Sequence, residues 1–216
     1  MRNTICLLIL TIAAAVPAFP ADATATRLIH ARSVLDAIMM SEHNISMDQL
    51  MATDCVVVVP DFKKGAVVVG VGYGRGFVSC RTETGWSAPG AITLESASLG
   101  VQLGGEKIDI VILSLDKSMR KKLLAEHLTF GSDASAAWGN GKAEHQGPND
   151  KILFFGRAKG VFAGFGLDGA TLKCDESTNT VLYGKMAHNE EVVGGRVEIP
   201  ERTKPLIMAL TRDAER

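Results

Sequence analysis

Several cations in this chain sit beside turns or between apolar residues: Lys63, Lys64, Arg75, Arg81, Lys142, Arg157 and Lys159. Arginine offers a planar fork of donors and lysine a mobile point charge, and both suit phosphate oxygens. Brought onto one surface, each contributes roughly 1 kcal/mol towards an anionic membrane. Scattered and solvated, the same residues do nothing of the kind. One acid stands apart. Asp109 lies inside the apolar run Lys107–Leu113 (KIDIVIL). A carboxylate there must be paired or hydrogen-bonded, or it gives up its charge. A structural hub is the expected role and a catalytic acid the alternative.

Other chemistries fail on spacing. Gly70, Gly72, Gly74 and Gly76 suggest a nucleotide loop, but Gly-x-Gly-x-x-Gly would need glycine where Arg75 or Phe77 stands. No Gly-Lys-Ser/Thr follows to make a P-loop. Gly85-Trp86-Ser87-Ala88-Pro89 has proline where a nucleophile elbow needs glycine. The histidines at 30, 43, 127, 145 and 188 form no metal-ligand spacing, and no cysteine pair is C-x-x-C. The residues therefore point away from an enzyme, and towards no cofactor and no metal.

The elements that must carry the cations follow from periodicity. Alternation puts Gly70, Gly72, Gly74 and Gly76 on one face of a strand, with Val71, Tyr73, Arg75 and Phe77 on the other. A bare face lets another backbone approach closely. Cys55–Val59 reads as a buried strand ended by Pro60, and Phe62–Gly65 as a basic turn. Further strands are expected at Ile92–Gln102, Lys107–Leu113, Ala134–Trp138, Ile152–Phe155 and Val161–Leu167, with another at Leu172–Cys174. Helices are expected over Thr26–Glu42, Ser46–Thr53 (Ser46 and Gln49 forming a capping box), Asp116–Leu128 stopped by Gly131, and Pro200–Arg216. The sum is one α+β domain, β-rich and antiparallel, with a few flanking helices.

With 23 Lys+Arg against 24 Asp+Glu, the formal net charge is −1 and no global field invites nucleic acid. Arg2 followed by the apolar run Ile5–Val16 and small residues reads as an export signal over 1–23, leaving 24–216 as the domain. Export to the periplasm or beyond is the expected destination. Cys55, Cys80 and Cys174 would then meet oxidising conditions, and sequence alone does not choose a pair.

Ordered tags tie these features together. Pro60-x-x-x-Lys64-Gly65-Ala66, the glycine strand, Gly85–Pro89, Ser98–Gly104, Asp109, Lys159–Gly164, Leu167–Ala170 and Asn179-x-x-x-Tyr183-Gly184 occur in one order. Together they resemble the SYLF domain, a lipid-binding family also described as an actin-binding domain of yeast proteins. The likeness covers about residues 28–185. It implies a non-enzymatic domain that binds phosphoinositides or anionic membranes through basic residues, with Lys64 and Lys159 matching the family pattern best. Phe155–Gly160 lacks hydroxyls that the family carries, and the segment around Trp138–Lys142 departs from it. General anionic phospholipid is therefore the expected partner, at a membrane surface. An exported protein would rarely meet actin, so actin is not an expected partner. The other expectation is a structural or protein-interaction module of the cell envelope, in which the glycine strand and Trp86 serve packing alone.

Overall fold

The computed structural model describes residues 21–41, 45–66, 69–99, 104–125, 127–132, 137–138, 151–158 and 167–214. Helix α1 spans Ala21–Met39 and the short α2 Met47–Ala52. Ser46 and Gln49 close the expected capping box on α2. Strands β1 (Cys55–Ala66), β2 (Val69–Thr82), β3 (Gly85–Trp86), β4 (Gly90–Leu99) and β5 (Gly104–Ser114) follow. Then come α3 (Lys117–Leu123), β6 (His127–Thr129), β7 (Ala137–Trp138), β8 (Ile152–Ala158), β9 (Ala170–Cys174), α4 (Glu176–Tyr183) and α5 (Asn189–Val193). A 3-10 turn (Glu201–Thr203) leads into α6 (Lys204–Ala214).

The strands form one sheet in the order β6-β9-β4-β2-β1-β5-β8-β7, with β3 paired to β2. Its pairings are antiparallel apart from β7 with β8. This is the expected α+β architecture. Apolar residues line both faces, so the sheet carries a core on each side. On one face Val57, Val59, Phe62, Val78, Ile92, Leu94, Ile110, Ile112 and Leu172 pack together with Phe130 and Leu167. On the other, Val56, Val58, Phe77, Val111, Leu113 and Phe155 meet α1 and α6. Helix α1 supplies Leu28, Ala31, Val34, Leu35 and Ile38, a stripe at helical spacing that is all buried. The expected helix over Thr26–Glu42 is thus present, beginning earlier at Ala21 and ending at Met39.

Local expectations are corrected in two places. Pro60 does not end β1. The strand runs on to Ala66, and the expected basic turn at Phe62–Gly65 is part of it. The pairing instead slips by a residue between Val59 and Phe62, a β-bulge that absorbs the proline. Likewise the helix expected over Asp116–Leu128 stops at Leu123. His127–Thr129 pairs with β9, which buries Leu128 and lets Phe130 enter the core. Tertiary pairing outweighs local helix preference there. The expected strand Val161–Leu167 lies outside the described residues up to 166.

The bulge explains the glycine strand. Val59 and Phe62 pack across the bare face of β2. A Cβ at Gly72 would stand 2.4 Å from Phe62 Cζ, and one at Gly74 would stand 2.6 Å from Val59 Cγ1. At Gly76 it would meet the Val58 carbonyl oxygen at 2.1 Å. Cys55 and Cys80 are register partners on β1 and β2 and form a disulfide, while Cys174 is a half-buried thiol.

Candidate functional site

The bulge also decides where the basic residues point. Before it, odd-numbered residues of β1 enter the core away from α1; after it, Phe62 does. The parity change turns Lys63 to the α1 face, directly opposite Tyr73 of β2. Lys64 falls to the other face. On β2, Tyr73 and Arg75 share the side of Phe77, which packs under α1.

Helix α1 crosses this face with Ala23, Thr26, Arg27 and His30 on one stripe. Between that stripe and Pro60, Asp61, Lys63, Tyr73, Gly74 and Arg75 lies a hollow of about 300 Å³. Arg27 and Lys63 make no ion pair among the described residues. Burial and the nearby Arg75 guanidinium push Arg27 below the usual arginine range. Arg75 donates to the Tyr73 hydroxyl at 2.9 Å and lies 3.4 Å from Asp175, which it approaches from the side of the α4 N-cap. Cations therefore converge on one hollow with incomplete compensation.

Asp109 is the hub that the sequence suggested. Its Oδ2 is 3.1 Å from an Arg157 guanidinium nitrogen, and its Oδ1 accepts the backbone N–H of Asp61 at 3.1 Å. Asp61 has φ of 49°, a left-handed conformation uncommon for a residue with a side chain. The Asp61 carboxylate faces His30 Nδ1 at 3.2 Å. His30, Asp61 and Asp109 could offer a metal ion three ligand atoms within 4.8 Å of one another. Arg157 already occupies Asp109, and Arg27, Lys63 and Arg75 line the hollow alongside. A further cation would meet repulsion there, so the set is better read as an ion-pair network.

Among the described candidates the structure gathers Lys63 and Arg75 and sets Lys64, Arg81 and Arg157 apart from them. Arg157 is committed to Asp109. Arg81 lies further along β2, about 20 Å from Arg75 at roughly 3.3 Å per residue. It stacks on Trp86 at 4.3 Å and donates to the Leu50 carbonyl. Lys142 and Lys159 lie outside the described residues. Arg27 and His30 were missed because nothing in sequence joins them to residues some forty positions on. The available signal was their shared helical stripe.

Two other hollows are larger. One of about 580 Å³ holds Arg81, Lys117 and Arg120. Arg120 there grips Asp54 with two nitrogens, at 2.5 and 2.8 Å, and Glu83 lines the same wall. The other, of about 460 Å³, sets Lys185 and Arg196 against Glu198 and Glu201. The hollow under α1 differs from both in setting Arg27, Lys63 and Arg75 around a single lining acid, Asp61.

The remaining tags are architectural. Asn179 accepts the Ala91 N–H through Oδ1 and donates to the Ala187 carbonyl and Asn189 Oδ1. The Tyr183 hydroxyl donates to the Pro89 carbonyl at 2.6 Å. Ser87 Oγ accepts the Cys80 N–H. Together they clamp the Gly85–Gly90 segment to the end of the sheet. Trp86 belongs to the core beneath α1 and α6.

Fold and site define an α+β domain with a cationic hollow beneath its first helix. The Ysc84 family, described as Las17-binding protein actin regulator, matches residues 95–213, and the chain belongs to that family. Protein YSC84 of Saccharomyces cerevisiae is 27% identical over 146 residues, 63% of this chain and 31% of its own. The SH3 domain-containing YSC84-like protein 1 of Bos taurus is 28% identical over 161 residues, 71% of this chain and 47% of its own. The chain therefore spans about a third to a half of the length of these relatives. No solved structure matches it.

Proposed function

We propose that this domain binds anionic phospholipid headgroups, phosphoinositide-like ones included, at a membrane surface and without catalysis. The observation that carries the reading is the convergence of Arg27, Lys63 and Arg75 on the hollow beneath α1. Arginine forks and a lysine point charge around a cleft of this size suit a phosphate group. The hollow opens to solvent and Lys63 and Arg75 are exposed, so salt screens its charges in part. The Cys55–Cys80 disulfide agrees with an exported domain in an oxidising compartment, periplasmic or secreted.

Flotation with neutral and anionic liposomes at two salt concentrations tests this. Salt-sensitive capture by anionic vesicles alone is the expected result. A well-folded protein that ignores anionic vesicles at low salt would sink the proposal. A second reading, a protein-interaction module of the cell envelope, draws on the family's description as Las17-binding protein actin regulator and on a relative named LAS seventeen-binding protein 3. Capture of a protein partner unaffected by Arg27→Ala and Lys63→Ala would favour it.

A further inference from the structure

Beside the hollow, β2 exposes an apolar ridge. Val71 is 61% exposed and Tyr73 44%, while Phe77 of the same face is buried under α1. The cross-strand neighbours explain this. Val71 faces Gly65 on β1 and Ala97 on β4, so no large side chain covers it. Tyr73 stands between Lys63 and Glu95. Glu95 pairs with Lys173 at 2.5 Å, which offsets part of its charge. The ridge is therefore apolar at Val71, amphipathic at Tyr73, and flanked by Lys63 and Arg75.

Water gains nothing from an exposed valine in this setting, whereas a bilayer interface does. Tyrosine settles where an apolar zone meets a wet one, and adjacent cations find lipid phosphates at that depth. We propose that Val71 and Tyr73 insert into the interfacial layer of an anionic bilayer while Arg27, Lys63 and Arg75 hold headgroup phosphates. The inference rests on the lipid reading above. It adds the depth of binding and the face that meets the membrane.

Val71→Trp provides the probe. With vesicles containing anionic lipid and brominated acyl chains, its emission should shift to the blue and be quenched. Met186→Trp is the control, because Met186 is exposed near the Pro89 clamp at the far end of β2. It should be neither shifted nor quenched. Val71→Ser should weaken vesicle binding about fivefold to tenfold with an unchanged melting temperature, from the lost apolar transfer. Anionic vesicles bound normally by Val71→Ser, with Val71→Trp unquenched, would overturn insertion and leave headgroup binding standing. Absence of vesicle binding by the unaltered protein would remove both.

Discussion

The backbone N–H of Asp61 donates to the carboxylate of Asp109, 48 residues on, at 3.1 Å. That bond joins the bulge of β1 to the acid in the middle of β5. It lies at the bulge where Asp61 is left-handed and beyond which Lys63 turns to the face of α1. The other carboxylate oxygen pairs with Arg157. Asp109→Asn should cost about 1–3 kcal/mol in denaturant unfolding, since it weakens a charge-assisted bond and leaves Arg157 uncompensated. In Asp109→Asn with Arg157→Gln the two costs should fall short of their sum. Full additivity would argue that the two side chains do not interact. Asp109→Asn that folds and keeps vesicle binding would also count against a catalytic role for this acid.

The hollow and the distant cations can be told apart. Arg27→Ala with Lys63→Ala should weaken binding to anionic vesicles about thirtyfold, at roughly 1 kcal/mol for each charge. Arg81→Ala should leave vesicle binding unchanged, because Arg81 is engaged with Trp86 and the Leu50 carbonyl. Liposome sedimentation at low salt decides it. Equal losses from both changes would mean that general charge, not this hollow, binds the lipid.

The glycine track should show a graded response. A Cβ at Gly72 meets Ser96 Oγ and the far edge of the Phe62 ring, groups able to move. One at Gly76 meets the backbone of β1 itself. Gly72→Ala should cost about 1–3 kcal/mol by overpacking, and Gly76→Ala more than that or the fold altogether. Thermal unfolding of the two variants gives the order; a reversed order would refute this account of the bulge.

Removing the Cys55–Cys80 link should also cost stability. The disulfide spans 25 residues, and its loss is worth about 3 kcal/mol by loop-closure entropy. Cys55→Ser with Cys80→Ser should therefore melt lower while binding vesicles normally below its melting point. Equal melting temperatures with and without reductant would show that the bond is not formed in solution.

Acid should expose the cap of α4. Burial alone would raise the Asp175 carboxyl, but bonds from the Ser177 hydroxyl, the Thr178 N–H and hydroxyl, and the Arg75 charge hold it below the usual range. Asp116, bonded by Lys151 and Ser118, is held down to about 2. A carboxyl depressed in the folded state stabilises fully above its unfolded value of about 3.9 and loses that contribution as pH falls through the folded one. Stability should thus decline from about pH 4 downward. Asp175→Asn should be less stable at neutral pH and flatter below pH 4, as read from urea unfolding across that range. A parallel pH profile would show that Asp175 gains nothing from its partners.

Much was legible in the chain itself. Alternating glycines specified a strand with one bare face, because side-chain alternation is a local property of extended backbone. The α1 stripe, the Ser46–Gln49 cap and the apolar run around Asp109 are equally local, and so is the ordered set of tags that marks the family. Register is another matter. A one-residue slip at Pro60 reverses every later side chain of β1, and neither proline nor its neighbours encode which pairing absorbs it. Packing of Val59 and Phe62 against Gly72 and Gly74 made that choice. From it follow Lys63 beside Tyr73, Arg27 and His30 above them, Arg157 spent on Asp109, and Arg81 at the other end of the strand. The sequence alone settled which residues could bind an anion; only the tertiary register decided which of them stand together, because proximity across strands depends on pairings between residues far apart in the chain.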